Sequence, residues 1–202
     1  MNQLQRWAAM AAVFALTVLT LAVPEARAAD TWEIDKAHSA VEFKIRHLVS
    51  KVTGRFGAFE GKLVGSLDDP TSFQVEGTIQ AGSIDTNNAK RDAHLKNPDF
   101  FDVEKYPTIT YKSTKVKKVG EDRYEVVGNL TMHGVTLPVT LTAEFGGVGT
   151  DPWGNTKLGL TVSGELDRKA FGLTYNATLD QGGLLLGDKV GLSLEIEANK
   201  KK

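Results

Sequence analysis

Residues 135–145 read VTLPVTLTAEF, and this stretch decides the fold class. Within it, apolar side chains occupy every second position: Val135, Leu137, Val139, Leu141, Ala143 and Phe145. Successive side chains of a β-strand point to opposite faces, so a period of two predicts a strand with one apolar and one polar face.

The same alternation recurs along most of the chain. It is found in 39–47, 73–81, 124–132, 158–166 and 190–198, and less regularly in 54–67 and 107–119. Turn residues such as Asp68-Asp69-Pro70 separate these segments. Connections this short join antiparallel neighbours, which predicts about eight strands in a meander. Closure into a barrel is favoured because it leaves no edge strand unpaired. The glycine-rich segment 146–149 is interpreted as a turn.

A different pattern marks the N-terminus. Arg6 precedes an apolar run over 7–23, and Ala26 and Ala28 give the small-x-small pattern of a cleavage site. This order is typical of a secretory signal peptide. A membrane anchor is the alternative, but the run is at the short limit for a spanning helix. We therefore expect residues 1–28 to be removed, a single domain over 29–202 without stable membrane insertion, and export to the periplasm.

The composition narrows the possible functions. The chain has no cysteine, which excludes disulfides, thiol chemistry and thiolate metal sites. Its 24 Lys and Arg residues nearly balance 25 Asp and Glu residues, whereas nucleic-acid binding normally needs a concentrated basic patch. The four histidines have no metal-ligand spacing, and nucleophile-elbow, phosphate-loop and dinucleotide motifs are absent from the sequence. The sequence predicts no metal, cofactor, nucleic-acid partner or catalytic residue.

One segment breaks the β pattern. Residues 85–98 combine an N-cap candidate, a helical centre and a terminating Pro98. This predicts one short helix between two strands, at a barrel mouth or across its end. Phe100 and Phe101 follow it, and we interpret them as a plug for the core in preference to ligand contacts.

Inward-facing positions of the predicted strands form the candidate lining of the barrel. An eight-stranded barrel is wide enough either to be filled by side chains or to hold one small ligand, and the periodicity leaves both open. Gly77, Gly128 and Gly164 also have inward parity; they remove filling volume, or they mark bulges. The candidate lining residues are Phe43, Ile45, Ile79, Tyr111, Leu130, Met132, Leu141, Leu160, Val162 and Leu194.

Three polar residues are candidates for contact with a polar head group. His47 continues the inward parity of 41–45 at the end of a strand, where it either meets a ligand or is a capped core residue. Arg91 and His94 lie three residues apart, hence on one side of the predicted helix. A phosphate or quinone oxygen would suit Arg91. A structural role, in which Arg91 and Asp92 fasten the helix to loops, is the preferred interpretation.

The order of short motifs along the chain resembles a known family. The motifs run over essentially all of 29–202, and together they resemble the YceI-like family of periplasmic proteins. They include Ser39-x-Val41-x-Phe43, Gly54-x-Phe56-x-x-Phe59-x-Gly61, Arg91-Asp92-x-His94-Leu95, Asp99-Phe100-Phe101, Gly128-x-Leu130-Thr131, Asp151-Pro152-Trp153-Gly154 and Gly187-Asp188-x-Val190.

The resemblance implies an eight-stranded, lipocalin-like antiparallel barrel with one helical excursion. It also implies that the barrel holds a polyisoprenoid or other long-chain amphiphile, such as an isoprenoid quinone or a polyprenyl phosphate. The leading interpretation is therefore a non-enzymatic periplasmic carrier, with a homodimer left open. An enzyme acting on such a lipid, and a protein-interaction module in envelope stress, are the alternatives.

Overall fold

The structure, a computed structural model, describes residues 29–178 and 184–201. Residues 1–28, where the signal peptide is predicted, lie outside the described residues. The described residues contain one α-helix, α1 (Ala89–Lys96), and three short 3-10 helices at Pro70–Ser72, Ala81–Ser83 and Arg168–Phe171. Their strand segments are β1 (Asp30–Ile34), β2 (Ala40–His47), β3 (Ser50–Phe56), β4 (Phe59–Gly65), β5 (Gln74–Gln80), β6 (Ile84–Asp85), β7 (Thr108–Lys118), β8 (Arg123–Met132), β9 (Val135–Thr150), β10 (Thr156–Asp167) and β11 (Leu186–Lys200).

These eleven segments make eight barrel strands, because three of the strands are each interrupted and consist of two segments: β1 with β2, β3 with β4, and β5 with β6. β1 and β2 lie end to end along the same side of β11. β3 pairs with β2, and β4 pairs with β1. On their other side, β3 pairs with β6 and β4 pairs with β5. From β7 to β11 each strand pairs with the next in antiparallel order. The pairing of β1 with β11, which sets Ile34 opposite Ala198, closes the sheet. The predicted eight-stranded antiparallel barrel with one helix is confirmed.

One local prediction differs from the structure. Segment 146–149 is not a turn, because β9 continues through it to Thr150. The irregularity there is absorbed by Gly147, whose φ is 116°, and by a register shift between Gly159 and Leu160 on β10. The short helix predicted within segment 85–98 is confirmed, since α1 spans Ala89–Lys96 and ends before Pro98. Asn88 caps it by accepting a hydrogen bond from the Arg91 backbone N–H at 3.0 Å.

The two ends of the barrel differ in what fills them. At one end, Trp32, Leu63, Leu158 and Ala198 form a buried cluster in which Trp32 and Ala198 are fully buried. We call this the closed end. The opposite end carries α1, the β2–β3 and β8–β9 turns and the connection from β10 to β11; we call it the α1 end. The long and irregular connecting segments are therefore at the end opposite the buried cluster.

Candidate ligand-binding site

A cavity of about 330 Å³ occupies the α1 end of the barrel. Its wall is formed mainly by apolar side chains from β2, β3, β5 and β7 to β11, together with α1 and the segments that contain Phe100 and Leu173. A second cavity of about 140 Å³ adjoins it on the side of the closed end. Side chains shared by both walls separate the two cavities: Val41, Ile79, Ile109, Tyr111, Leu130, Leu141 and Leu194.

All thirteen residues predicted to contact a ligand lie in the wall of one of these cavities. Leu160 and Val162 line only the smaller cavity. The larger one is lined by the other eleven: Phe43, Ile45, His47, Ile79, Arg91, His94, Tyr111, Leu130, Met132, Leu141 and Leu194. The alternation of the strands thus identified the inner face. Contact between these side chains and a ligand stays a prediction.

The three inward-facing glycines do not contribute equally to the empty space. A Cβ on Gly128 would lie 2.5 Å from the Tyr111 ring, and one on Gly164 would lie 2.6 Å from a Leu141 methyl group, so both positions are already covered by neighbouring side chains. A Cβ on Gly77 would have no atom closer than 3.8 Å, and Gly77 lines the smaller cavity. Only Gly77 therefore leaves volume open.

Tyr111 stands between the two cavities as a fixed part of the wall. Its hydroxyl donates a hydrogen bond to the Val126 carbonyl at 2.8 Å and lies 3.3 Å from the Val139 carbonyl. Burial raises the pKa of Tyr111 to about 12. Because the hydroxyl is engaged with the backbone, it is not a free donor for a ligand head group.

Arg91 and Asp92 both bind Thr86, a buried residue just before α1. Asp92 accepts hydrogen bonds from the Thr86 backbone N–H at 2.9 Å and from its hydroxyl at 2.5 Å. Arg91 donates from Nε to the Thr86 hydroxyl and from Nη2 to the Thr86 carbonyl, at 2.7 and 2.8 Å. These bonds supply the fastening role preferred for the pair, and Arg91 still forms part of the cavity wall.

The two histidines at the α1 end have different surroundings. The His94 Nε2 lies 2.8 Å from an Asp99 carboxylate oxygen, and its ring packs edge-on against the rings of Phe100 and Tyr175. Within the described residues, no hydrogen bond or ion pair involves the His47 ring. Of the two, His47 is therefore the one with ring nitrogens available at the mouth.

Phe100 and Phe101 have the core position preferred for them and also face the larger cavity. Phe100 is buried, and Phe101 packs against the main buried cluster, as expected of a core plug. Both also line the larger cavity. They therefore belong both to the packed core and to the cavity wall, and contact with a ligand stays a prediction.

Arg168 is a wall residue that the alternation does not reveal. It is 3% exposed and donates hydrogen bonds to the carbonyls of Leu173, Tyr175 and Gly187. Its Nη2 has no hydrogen-bond partner among the described residues and lies 3.7 Å from Asp188 Oδ1. Desolvation lowers the pKa of its guanidinium. The guanidinium forms part of the cavity wall and fixes the connection from β10 to β11.

Asp35, His38 and Glu197 approach one another closely enough to hold a metal ion. Lys157 already fills that place, because its ammonium lies 2.7 Å from Asp35 and 2.9 Å from Glu197. Hydrogen bonds from Lys157 and His38 hold the pKa of Asp35 well below its usual range. This cluster is an ion-pair network that fastens the β1–β2 connection to β10 and β11.

Among the described residues, no helix is both long and apolar enough to cross a membrane. The model of the YceI-like domain family matches residues 32–198. A UPF0312 protein of Serratia proteamaculans (strain 568) is 45% identical over 159 residues, which cover 77% of this chain and 82% of that protein. A UPF0312 protein of Enterobacter sp. (strain 638) is 41% identical over 191 residues, with 93% and 95% covered.

Solved structures share the same barrel. The Campylobacter jejuni YCEI protein is 35% identical with a TM-score of 0.66, covering 83% of this chain and 96% of that one. Burkholderia cenocepacia BcnA has a TM-score of 0.72 at 21% identity, with 81% and 98% covered. A Saccharophagus degradans domain described as polyisoprenoid-binding has a TM-score of 0.58 at 15% identity, with 84% and 98% covered. These last two likenesses concern the fold alone.

Proposed function

This chain belongs to the YceI-like family, and from that premise we propose that it is a non-enzymatic carrier for one polyisoprenoid or similar long-chain amphiphile. The observation that carries the proposal is the apolar cavity of about 330 Å³ inside a closed barrel. A carrier needs a dry space for the tail and a few polar groups at the opening for the head. The described residues provide both at the α1 end.

The size of the cavity suits a hydrocarbon tail. An engineered apolar cavity of about 150 Å³ stays dry and binds benzene, so a space of about 330 Å³ accepts a larger hydrocarbon. Burial contributes about 0.8 kcal/mol per CH₂, or about 8 kcal/mol for a tail of about ten carbons before the cost of association is subtracted. The tail therefore contributes to binding without any polar contact along its length, and contacts to the head group add to it.

The polar groups give the ligand a direction. Arg91, His47 and His94 line the larger cavity, while the closed end is filled by the cluster around Trp32. We place the head group beside these three residues and the tail pointing toward the smaller cavity. An isoprenoid quinone and a polyprenyl phosphate both fit this arrangement, since each joins a long apolar tail to an oxygen-rich head.

The polyisoprenoid-binding description of the Saccharophagus degradans domain favours this ligand class, and the cavity gives an independent physical reason for it. Location in the periplasm is part of the same proposal. It rests on the apolar N-terminal run and on the small-x-small pattern at Ala26 and Ala28. N-terminal sequencing of the protein recovered from a periplasmic fraction tests it, with a new terminus after Ala28 expected. The homodimer stays a prediction for sedimentation analysis.

Native mass spectrometry of the protein purified from its own host tests the central proposal. We expect a second species that is heavier by the mass of one lipid, and extraction identifies that lipid. Returning the lipid to stripped protein at about 100 times its Kd contributes about 2.7 kcal/mol of stability, or a rise in Tm of about 5–10 °C for a domain of this size. A single unliganded mass, with no rise in Tm on adding prenyl lipids, would overturn the proposal.

A further inference from the structure

Two apolar side chains project from the tip of the β2–β3 hairpin at the α1 end. Val49 is 97% exposed and Leu48 is 39% exposed; we call this pair the apolar tip. Leu48 has a φ of 52°, in the left-handed region that residues other than glycine, asparagine and aspartate rarely adopt. The two-residue hairpin turn between His47 and Ser50 accounts for the positive φ of Leu48, but packing within the barrel does not explain why both side chains are exposed.

The apolar tip is joined directly to the mouth of the larger cavity. His47 and Val52, on either side of the hairpin turn, both line that cavity. The Leu48 backbone N–H donates a hydrogen bond to the Leu185 carbonyl at 2.9 Å, and Leu185 is another lining residue. Leu184, beside it, is 50% exposed. Apolar surface therefore continues from the tip to the cavity.

Positive charge flanks the apolar tip. Arg46 and Lys51 are exposed and lie directly opposite each other on β2 and β3. Like charges in this position normally destabilise a strand pair. No carboxylate of the described residues lies within ion-pair distance of either side chain. An anionic partner would relieve the repulsion.

We propose that the apolar tip, with Arg46 and Lys51, docks on the surface of an anionic lipid bilayer and sets the cavity mouth against the membrane. This inference rests on the proposed function, because a carrier must collect its lipid from a bilayer. A small apolar protrusion with flanking basic side chains fits an interface in which apolar groups enter the acyl boundary and cations meet the head groups. Two side chains offer too little area for a stable protein interface.

The closed end supplies matched controls. Val148 is 45% exposed and Trp153 is 82% exposed, and both lie near the β9–β10 connection, at the end of the barrel opposite the tip. Val49→Ser and Val148→Ser are therefore the same exchange at opposite ends. Because both valines are exposed, we expect each variant to fold with the Tm of the unchanged protein.

Flotation with vesicles of phosphatidylcholine, with and without phosphatidylglycerol, tests the docking surface. We expect the unchanged protein to bind the vesicles that contain phosphatidylglycerol, Leu48→Ser/Val49→Ser to bind at least tenfold more weakly, and Val148→Ser to bind as before. Arg46→Gln and Lys51→Gln should each weaken binding about fivefold, as expected for one basic side chain near an anionic surface. Their affinity for neutral vesicles should not change.

Native mass spectrometry of the same variants separates this inference from the proposed function. A protein that carries lipid but does not float with anionic vesicles overturns the docking surface and leaves the carrier intact. A protein that floats through the tip but carries no lipid overturns the carrier instead. Loss of flotation in Trp153→Ser, with Val49→Ser unaffected, would place the contact at the closed end and refute the proposal. A third outcome is a protein that does not float with vesicles but forms a concentration-dependent dimer, which Val49→Ser abolishes. The tip would then bind a second copy of the chain, and the membrane proposal would be refuted.

Discussion

Replacing Ile45 with tryptophan separates a hollow barrel from a filled one. Ile45 lines the larger cavity and not the smaller one. Its cross-strand neighbours, Val52 and Val190, line the same cavity. In the Ile45→Trp variant, the added indole atoms would extend into the cavity of about 330 Å³.

The magnitude follows from what the new side chain displaces. Overpacking a filled core costs about 1–3 kcal/mol, whereas filling an existing cavity commonly stabilises a protein by about 0.5–2 kcal/mol. We expect the free energy of unfolding of stripped Ile45→Trp to stay within about 1 kcal/mol of the unchanged protein, or to rise, because the indole enters empty space. The ligand-dependent rise in Tm of about 5–10 °C should disappear.

Ile84→Trp is the matched control. Ile84 is 3% exposed in the main buried cluster and lines neither cavity, so the same enlargement there has no cavity beside it to fill. Urea unfolding should show it about 1–3 kcal/mol less stable. Equal destabilisation of both variants would mean that the interior is filled, and an unchanged ligand effect in Ile45→Trp would mean that the lipid binds elsewhere. Either result would refute the reasoning.

Three further predictions concern the frame of the site. Gly128→Ala should lose about 1–3 kcal/mol in urea unfolding, because its Cβ would lie 2.5 Å from the Tyr111 ring, whereas Gly149→Ala, with no atom within 4 Å, should be neutral. Asp35 has its pKa lowered from 3.8 by hydrogen bonds in the folded state. It therefore stabilises the fold above about pH 4, and this contribution is lost as the pH falls further; stability of Asp35→Asn should depend less on pH below 4. Arg168→Met should cost about 3–5 kcal/mol, since three carbonyls lose their donor, and hydrogen exchange should quicken around 173–175.

The strands could be predicted from sequence because a half-buried strand alternates apolar residues on its inner face with polar residues on its outer face. The segments around Phe43, Leu141 and Leu194 follow this rule, and each is a barrel strand with its apolar residues inside. The interruptions could not be predicted in this way. At β1–β2 the break depends on Asp35, whose carboxylate meets Lys157 from a strand far along the chain, and at 146–149 a bulge lets the strand continue through glycines.

The candidate site likewise has a part that could be predicted from sequence and a part that could not. Alternation identified the lining contributed by strands, because side-chain parity is a local property. Arg168, Leu173 and Tyr175 were missed because they lie in or beside an irregular connection, where no period marks the inward face. The only sequence feature that marks Tyr175 is an aromatic side chain between turn-forming neighbours. This feature does not distinguish a residue of the cavity wall from an exposed one.

Whether the barrel is hollow depends on the register in which neighbouring strands pair. That register cannot be predicted from the sequence of one strand alone. Gly128 and Gly164 look like missing volume, but the strands are offset so that Tyr111 and Leu141 cover them. Gly77 faces Gly61 across the β4–β5 pair and Tyr111 across the β5–β7 pair, but the Tyr111 ring lies over Gly128 and leaves Gly77 uncovered. The smaller cavity is therefore open beside this glycine pair, while the larger one is open where the long connections at the α1 end replace packed strand ends. A lipid tail that passes Tyr111 would follow this path from the α1 end toward Gly77, and Gly77→Leu should shorten the longest prenyl tail that binds without changing the affinity for shorter ones.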